Sequence, residues 1–200
     1  MAPPLPSSTF DTITSNSDAS CPFCHIAITY PPFSPLSPPP SSSPVVSPTL
    51  TSPSPQTFVV LSTPLLIAFL DIMPLSPGHL LLCPRSHAPK LTDASASEAR
   101  ELGYYLRILS GAVARATGVK DWNVVQNNGM AAAQVVEHMH FHVIPRPGLR
   151  AKERFTSTMF GRGQREELDD EEGEELAGRI RECVAEVLKE EGGRERKGKL

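Results

Sequence analysis

The sequence predicts an α+β fold: a mainly antiparallel sheet of about five strands, one long central helix and a C-terminal amphipathic helix. Two observations favour it. Short apolar segments bounded by turn residues stand before and after one long segment of helical periodicity, so the order is strands, helix, strands. A second apolar stripe at helical spacing lies near the C-terminus. The 200 residues have room for one domain with appended segments.

The individual elements follow from periodicity and turn residues. TFVVLS and LLIAFLD predict two antiparallel strands, and HLLLCPR predicts a third that ends at Pro84. Residues 95–117 carry apolar side chains at helical spacing, with Ser95 or Ser97 to cap the start and Gly118 to end the helix. NVVQN and HMHFHVIP then predict two further strands.

Composition divides the chain into three parts. Residues 1–20 are rich in Pro, Ser and Thr and predict a disordered leader. Residues 21–150 predict the domain, interrupted at residues 31–55 by a Pro/Ser-rich insertion that we expect to stay extended or mobile. Residues 151–200 predict a charged extension with one helix, which can dock on the sheet or on a partner. The apolar stripe of that helix consists of Leu176, Ile180, Cys183, Val184, Val187 and Leu188.

Charge and apolar content exclude several classes of protein. The net charge is -3, so no global basic field exists to hold nucleic acid or an anionic membrane. The longest apolar run, LLIAFL, is too short to span a bilayer, and the N-terminus lacks a signal-peptide pattern. We therefore expect a soluble protein of the cytoplasm or nucleus with reduced cysteines.

Three histidines alternate strictly in EHMHFHVIP, residues 137–145. On a strand they share one face, with about 3.3 Å per residue, so His138 and His142 would lie roughly 13 Å apart. This spread argues against one all-histidine metal site on the strand, because zinc–nitrogen bonds are about 2 Å long. Imidazole can attack phosphorus when neutral, donate a proton when charged, or hydrogen-bond a phosphoryl oxygen, so three imidazoles on one face could divide these roles.

HMHFHVI resembles the signature of the histidine triad (HIT) superfamily of nucleotide hydrolases and transferases, in which histidines alternate with apolar residues. The resemblance extends through AFLDIMPLSPGHLLLCPRSH, similar to the family's nucleotide-binding hairpin, and NVVQNNGMAAAQVVEH, similar to its phosphate-approach loop. It covers about residues 21–146 apart from the insertion. It implies hydrolysis of adenosine phosphoramidates or dinucleoside polyphosphates at the α-phosphorus, without a catalytic metal.

The resemblance assigns the catalytic roles to the histidine segment. It implies that His140 is the nucleophile that forms a nucleotidyl-histidine intermediate, that His142 contacts the non-bridging phosphate oxygens, and that His138 completes the triad. Val135 departs from the pattern, because the nucleotide-binding branch usually has Ser or Thr there. A hydroxyl that could assist the leaving group is therefore missing.

The same resemblance implies a set of nucleotide-binding residues. Asp71 would accept hydrogen bonds from the ribose hydroxyls, and Ile72 would contact the base. Asn127 and Gln134 resemble the amides that flank the phosphate, and His79 resembles a supporting histidine near it. The small residues of NNGMAAAQ would let backbone N–H groups approach the anion.

The CPFC motif predicts a metal site. Its two thiolates, from Cys21 and Cys24, can hold one ion that needs two further ligands, although two unrelated buried thiols would give the same motif. The resemblance implies His87 and His138 as those ligands around a structural Zn²⁺, and His25 could compete. Four protein ligands leave no open position for water, so the ion would be structural.

The resemblance also implies partners and alternatives. A purine nucleotide is the expected substrate, and a homodimer is expected through the long helix and an edge strand, with Leu102, Leu106 and Leu109 of the helix as part of its surface. A nucleotide-binding or scaffold protein with incidental catalysis is the alternative function. The transferase branch has prolines between its histidines, and removal of adenylate from DNA ends predicts a basic surface; this sequence has neither.

Overall fold

The computed structural model describes residues 18–148 and 165–197 of the chain. Within them the strands are β1 (Val59–Ser62), β2 (Leu66–Leu70), β3 (Leu80–Pro84), β4 (Trp122–Gln126) and β5 (Phe141–Pro145), and the α-helices are α1 (Pro22–Thr29), α2 (Ala96–Thr117) and α3 (Asp170–Lys197). The strands form one antiparallel sheet in the order β1-β2-β3-β5-β4. The predicted α+β class, with five strands, a long central helix and a C-terminal helix, is confirmed.

Both faces of the sheet are covered, which explains why β1, β2 and β3 read as continuous apolar runs. On one face, α2 and α3 pack over the main core. On the other face, α1 packs over a smaller cluster that includes Phe23, Tyr30, Ile67 and Phe69. The smaller cluster also contains both cysteines of CPFC, so α1 brings these thiols onto the sheet.

The long helix begins and ends where the sequence predicts. Ser95 caps it: the Ser95 hydroxyl accepts from the Glu98 amide at 3.2 Å, and the Glu98 carboxylate accepts from the Ser95 amide at 2.8 Å. Such a capping box satisfies two amides that the first turn leaves without helical partners and stabilises by about 1 kcal/mol. Gly118 ends the helix at φ 71°, a left-handed conformation that favours glycine.

The C-terminal helix α3 docks within the chain, on α2 and on the sheet beside β1. Leu176, Ile180 and Val184 of its predicted stripe are buried in the main core. The expected dimer surface is therefore wrong in part, because Leu102 and Leu109 are also buried in that core and cannot reach a partner.

The Pro/Ser-rich insertion differs from the expectation of an extended or mobile segment. It contains two 3₁₀ helices, Pro44–Val46 and Pro48–Thr51, and the side chain of Val46 is buried. Two buried side chains bind it: the Tyr30 hydroxyl donates to the Ser47 carbonyl at 2.9 Å, and the Arg181 guanidinium donates to the Ser41 hydroxyl at 2.9 Å. These polar anchors, which composition does not reveal, hold the insertion against the domain.

Two sequence-based predictions fall at least partly on residues outside the described ranges. Most of the disordered leader, residues 1–17, and part of the C-terminal extension, residues 149–164, lie outside the described residues. Among the helices that the structure does describe, none combines the length and apolar character needed to cross a bilayer.

Candidate active site and metal centre

The histidine segment is not one continuous strand. β5 begins at Phe141, paired with Leu82 of β3, so His142 lies in the ladder whereas His138 and His140 precede it. The alternation nevertheless persists, because the intervening residues point to the opposite side. Met139 and Val143 are fully buried in the main core, and Phe141 packs against it, as predicted.

His140 presents a nucleophilic nitrogen to a cavity. Its Nδ1 lies 2.7 Å from the carbonyl oxygen of His138, so Nδ1 carries the proton and donates it, and Nε2 keeps its lone pair. Burial lowers the pKa of His140, although the bond to that carbonyl opposes the shift. The ring is therefore neutral near pH 7, which is the protonation state that can attack phosphorus.

His142 and His79 form a hydrogen-bonded pair. The Leu75 amide donates to Nδ1 of His79 at 3.2 Å, so the proton of His79 is on Nε2, which lies 2.9 Å from Nδ1 of His142. Nδ1 of His142 is then an acceptor, and its proton is on Nε2. Burial is the main cause that lowers the pKa of His79 to about 3 and that of His142 to about 4. His142 can therefore act as a neutral N–H donor.

Asp71 follows β2 directly and lies beside this pair. Its Oδ1 accepts from the Met73 amide at 2.9 Å, while Oδ2 lies 3.4 Å from Nδ1 of His79 and 3.9 Å from the Arg165 guanidinium. The contact with His79 is not an ion pair, because that ring is neutral at its lowered pKa. Burial raises the pKa of Asp71, and the Met73 amide and Arg165 oppose the shift.

A cavity of about 880 Å³ connects these groups. His140 and His142 line it together with Asp71, Ile72 and Asn127, so five of the predicted catalytic and nucleotide-binding residues share one space. His79 is almost fully buried and contacts the cavity residue His142. Further parts of the wall come from α1, from residues 51–57 and from the segment before α3; their members include Phe23, Ile26, Thr51, Ser54, Gln56, Thr57 and Arg165.

The predicted phosphate-approach loop holds its two amide side chains differently. Asn127 lines the cavity. Gln134 is buried outside it: its Oε1 accepts from the Gly129 amide at 2.6 Å, and its Nε2 donates to the Pro89 carbonyl at 2.7 Å. The amides of Ala132 and Ala133 also bond within the loop, so these N–H groups do not face an anion as expected. Gln134 braces the loop in the described structure.

The CPFC thiols meet the two predicted histidines in a second cluster. Nδ1 of His138 lies 3.5 Å from Sγ of Cys21 and 3.6 Å from Sγ of Cys24, and Nδ1 of His87 lies 3.4 Å from Sγ of Cys24. The four candidate ligand atoms all lie within 4.8 Å of one another. Nε2 of His138 donates to the Pro84 carbonyl at 2.9 Å, which directs the lone pair of Nδ1 toward the thiols. This group could hold a metal ion.

Sequence reasoning missed the cavity wall supplied by segments outside the motif. Residues 51–57, which include the end of the insertion, carry no recognisable motif, although their position just before β1 places them beside the end of β2. Arg165 lies in a segment whose arginines and glycines would suit a phosphate-sensing loop but are more typical of a plain surface connection. Neither contribution has a sequence signal of its own.

Comparison with known proteins agrees with the geometry. Residues 53–149 match the HIT domain family model. The adenosine 5′-monophosphoramidase of Schizosaccharomyces pombe is 42% identical over 85 residues, which are 42% of this chain and 61% of that protein. The adenylylsulfatase HINT3 of Arabidopsis thaliana is 40% identical over 80 residues, which are 40% of this chain and 41% of that protein.

A solved structure gives the same result. A hypothetical histidine triad nucleotide-binding protein from Sulfolobus tokodaii superposes with a TM-score of 0.58 at 26% identity, over 70% of this chain and 91% of that one. The chain spans less than two thirds of the length of these two curated relatives. The matched region includes the histidine segment, the cavity residues on β2 and β5, and one half of the metal cluster. Residues 53–149 are therefore similar in sequence to the HIT domain, and the fold is similar to that of a histidine triad protein.

Proposed function

We propose that this protein is a nucleotide hydrolase that cleaves adenosine phosphoramidates or dinucleoside polyphosphates at the α-phosphorus through a nucleotidyl intermediate on His140. The observation that carries the proposal is the state of His140: neutral, oriented by the His138 carbonyl, and lining a cavity of nucleotide size. The names of the relatives, a phosphoramidase and an adenylylsulfatase, support the same reaction class.

The reaction would proceed in two displacements. Nε2 of His140 attacks the α-phosphorus, a P–N bond to the ring forms, and the bond to the leaving group breaks; an amine leaves with a proton taken from solvent, and a phosphate leaves as an anion. Water then attacks the nucleotidyl-histidine and gives up a proton to solvent, which releases the nucleoside monophosphate and restores the neutral ring. Nε2–H of His142 would donate to a non-bridging oxygen, and the Asp71 carboxylate would accept from the ribose hydroxyls. Ile72 would contact the base.

A product assay tests this proposal. Purified protein receives adenosine 5′-phosphoramidate and diadenosine polyphosphates in separate reactions with EDTA, and AMP is measured. Release of AMP by the wild type but not by His140→Asn is the expected result, and the ratio of the two rates identifies the preferred bond. Equal AMP release by the variant contradicts the proposal, whereas nucleotide binding without release favours the binding-protein alternative.

The metal cluster is proposed to hold a structural Zn²⁺. A tetrahedral ion with Zn–S bonds of about 2.3 Å and Zn–N bonds of about 2.0 Å separates sulfur from nitrogen by about 3.5 Å. The observed separations of 3.4 to 3.6 Å fit this geometry. Bound zinc would cross-link α1 to the end of β3 and to the histidine segment. Reduced thiols are needed for it, which is consistent with a cytoplasmic or nuclear protein.

A homodimer is also proposed, now through the edge of the sheet. β4 is an edge strand whose Trp122, Val124 and Val125 side chains are exposed. Exposed apolar edge strands favour pairing with another chain. Sedimentation of the wild type as a dimer and of Val124→Lys as a monomer is the expected result; a monomeric wild type at micromolar concentration would contradict the proposal.

A further inference from the structure

The cavity extends beyond the motif residues to Gln56, which directly follows the insertion. Val59 pairs with Phe69, and the Leu70 amide donates to the Phe58 carbonyl at 3.0 Å, so the antiparallel pairing of β1 and β2 continues one residue past β1. If this register is extended by two further residues, Gln56 is set opposite Ile72. Both residues line the cavity.

The strand order places Gln56 and the histidines about as far apart as the two ends of a nucleotide. β1 and β5 are three steps apart in the sheet, which is roughly 14 Å at about 4.8 Å per strand. Asp71, at the end of β2, lies between them. A nucleotide with its α-phosphate at His140 and its ribose at Asp71 therefore directs its base toward Gln56.

The orientation of the Gln56 amide follows from its partner. Nε2 of Gln56 donates to a carboxylate oxygen of Asp170 at the start of α3. An ionised carboxylate can only accept hydrogen bonds, so the NH₂ group of Gln56 must face Asp170. The carbonyl oxygen Oε1 lies on the other branch of the amide, points away from Asp170 and can accept a hydrogen bond from a ligand.

Asp170 is itself held in place by contacts on both sides. The Leu168 amide donates to the Ile72 carbonyl at 2.9 Å, which attaches the segment before α3 to the loop after β2. Farther along α3, Arg181 donates to the Val59 carbonyl at 2.7 Å from a buried position. The carboxylate that orients Gln56 thus belongs to a helix anchored on the same two strands.

We propose that Gln56 is a specificity-determining residue that selects a 6-amino purine over a 6-oxo purine, with Asp170 as its positioning residue. The exocyclic amino group of adenine donates to Oε1 of Gln56. A 6-oxo base brings its carbonyl oxygen to the same acceptor, so neither oxygen has a proton to share. This inference rests on the proposed function in one respect, namely that the cavity takes a nucleotide.

The test compares adenosine and inosine 5′-phosphoramidates, which carry an amino group and an oxygen at the same ring position. We expect the wild type to favour adenosine in kcat/KM by about three- to tenfold, the range of one neutral hydrogen bond. The difference should appear in KM with kcat unchanged, because the base contact is the same in the ground and transition states. Gln56→Met keeps the side-chain volume and should bring the ratio close to one.

Variants of Asp170 test the positioning role. In Asp170→Asn the new amide can either accept from the NH₂ group of Gln56 or donate to its Oε1, so both orientations of the Gln56 amide are populated and the ratio should fall toward one. Asp170→Ala should give a ratio between wild type and Gln56→Met. Glu171→Ala, which removes the adjacent exposed charge of α3, serves as the control and should keep the wild-type ratio. An unchanged ratio in Asp170→Ala would overturn the positioning role.

Binding measurements distinguish a failure of this inference from a failure of the proposed function. The affinities of the same proteins for AMP and IMP are measured by calorimetry alongside turnover. If the wild type hydrolyses neither substrate but prefers AMP, and Gln56→Met removes that preference, the hydrolase proposal fails and the base contact stands. A wild type that binds AMP and IMP equally, or a Gln56→Met variant that keeps the preference, overturns the inference.

Discussion

His138 and His140 are two residues apart on the same side of one segment, yet they serve two different environments. His138 is fully buried and directs Nδ1 at the thiols of α1, whereas His140 directs its lone pair into the cavity. The ring of Phe23 packs edge-on against both, with centroids 5.9 and 5.1 Å away. Alternation gives the histidines a common face, but the residues that α1 brings to that face decide what each imidazole can do.

The largest expected effect concerns His140, the histidine that faces the cavity. His140→Asn should lower kcat by on the order of 10³-fold or more, because no other described cavity residue places an equivalent lone pair at the α-phosphorus. Asparagine keeps a polar group of similar reach, so AMP affinity should change little. Steady-state kinetics and calorimetry measure both. Residual turnover within tenfold of the wild type would contradict the nucleophilic role.

On the metal side, Cys21→Ser should reduce stability far more than activity. Loss of one ligand weakens metal binding, and since binding free energy adds to folding free energy, the loss should be on the order of a few kcal/mol. Turnover per folded molecule should fall less than tenfold. Metal analysis and thermal unfolding are the measurements, with Cys183→Ser as the control because Cys183 lies on α3, outside the cluster. Equal melting temperatures in all three proteins would remove the structural-metal proposal.

Acidification should lower both the stability of the fold and the rate of hydrolysis, each over a defined pH range. Burial lowers the pKa of His79 to about 3 and of His142 to about 4, from an ordinary value of 6.5. Below pH 6.5 the unfolded chain binds protons that the folded chain does not, so stability should fall as pH falls from 6.5 toward 4, by at most about 1.4 kcal/mol per pH unit for each histidine. Unfolding in denaturant at several pH values measures this slope.

The rate of hydrolysis should fall at a lower pH than it would if the nucleophile were an exposed histidine. Because burial lowers the pKa of His140, its neutral and active form persists below pH 6.5. The midpoint of the acid decline in kcat/KM should therefore lie below pH 6.5, the ordinary histidine value. A decline that begins above pH 7 would show that the nucleophile titrates as an exposed imidazole and would contradict the buried, neutral state.

The smallest expected effect concerns the leaving group. Val135 lines the cavity but is 93% exposed, so its side chain can change without disturbing the core. Val135→Ser should raise the rate with phosphoramidates relative to polyphosphates by a few-fold, the effect of one added hydrogen bond to a departing amine. Val135→Ala is the matched control and should leave the ratio unchanged; the same ratio in all three proteins would exclude a leaving-group contact at this position.

Much of the fold and site follows from short-range patterns. Ser95, Gly118 and the apolar periodicities predict the helices because these signals act within a few residues of the chain. The alternation of His138, His140 and His142 survives although only the last lies in β5, since the side-chain direction depends on local backbone geometry. The CPFC motif predicts Cys21 and Cys24, and the family resemblance implies His87 and His138; the structure brings these four residues together.

Features that depend on long-range contacts could not be predicted in the same way. The insertion is held by Tyr30 and Arg181, which are distant in sequence, so its composition alone suggested an extended segment. Gln134 is placed by its bonds to Gly129 and Pro89, and Gln56 is placed by its bond to Asp170, 114 residues away. Pairings of this kind become visible only when the sheet and α3 are assembled.

The stereochemical course at phosphorus tests the central claim, covalent catalysis by His140, most directly. The substrate is an adenosine 5′-phosphoramidate made chiral at phosphorus by sulfur substitution, hydrolysed in ¹⁸O-labelled water by the wild type. Two successive in-line displacements each invert the configuration, so the account predicts net retention in the released nucleotide. Net inversion would mean that water attacks phosphorus directly, and it would contradict the nucleotidyl-histidine intermediate.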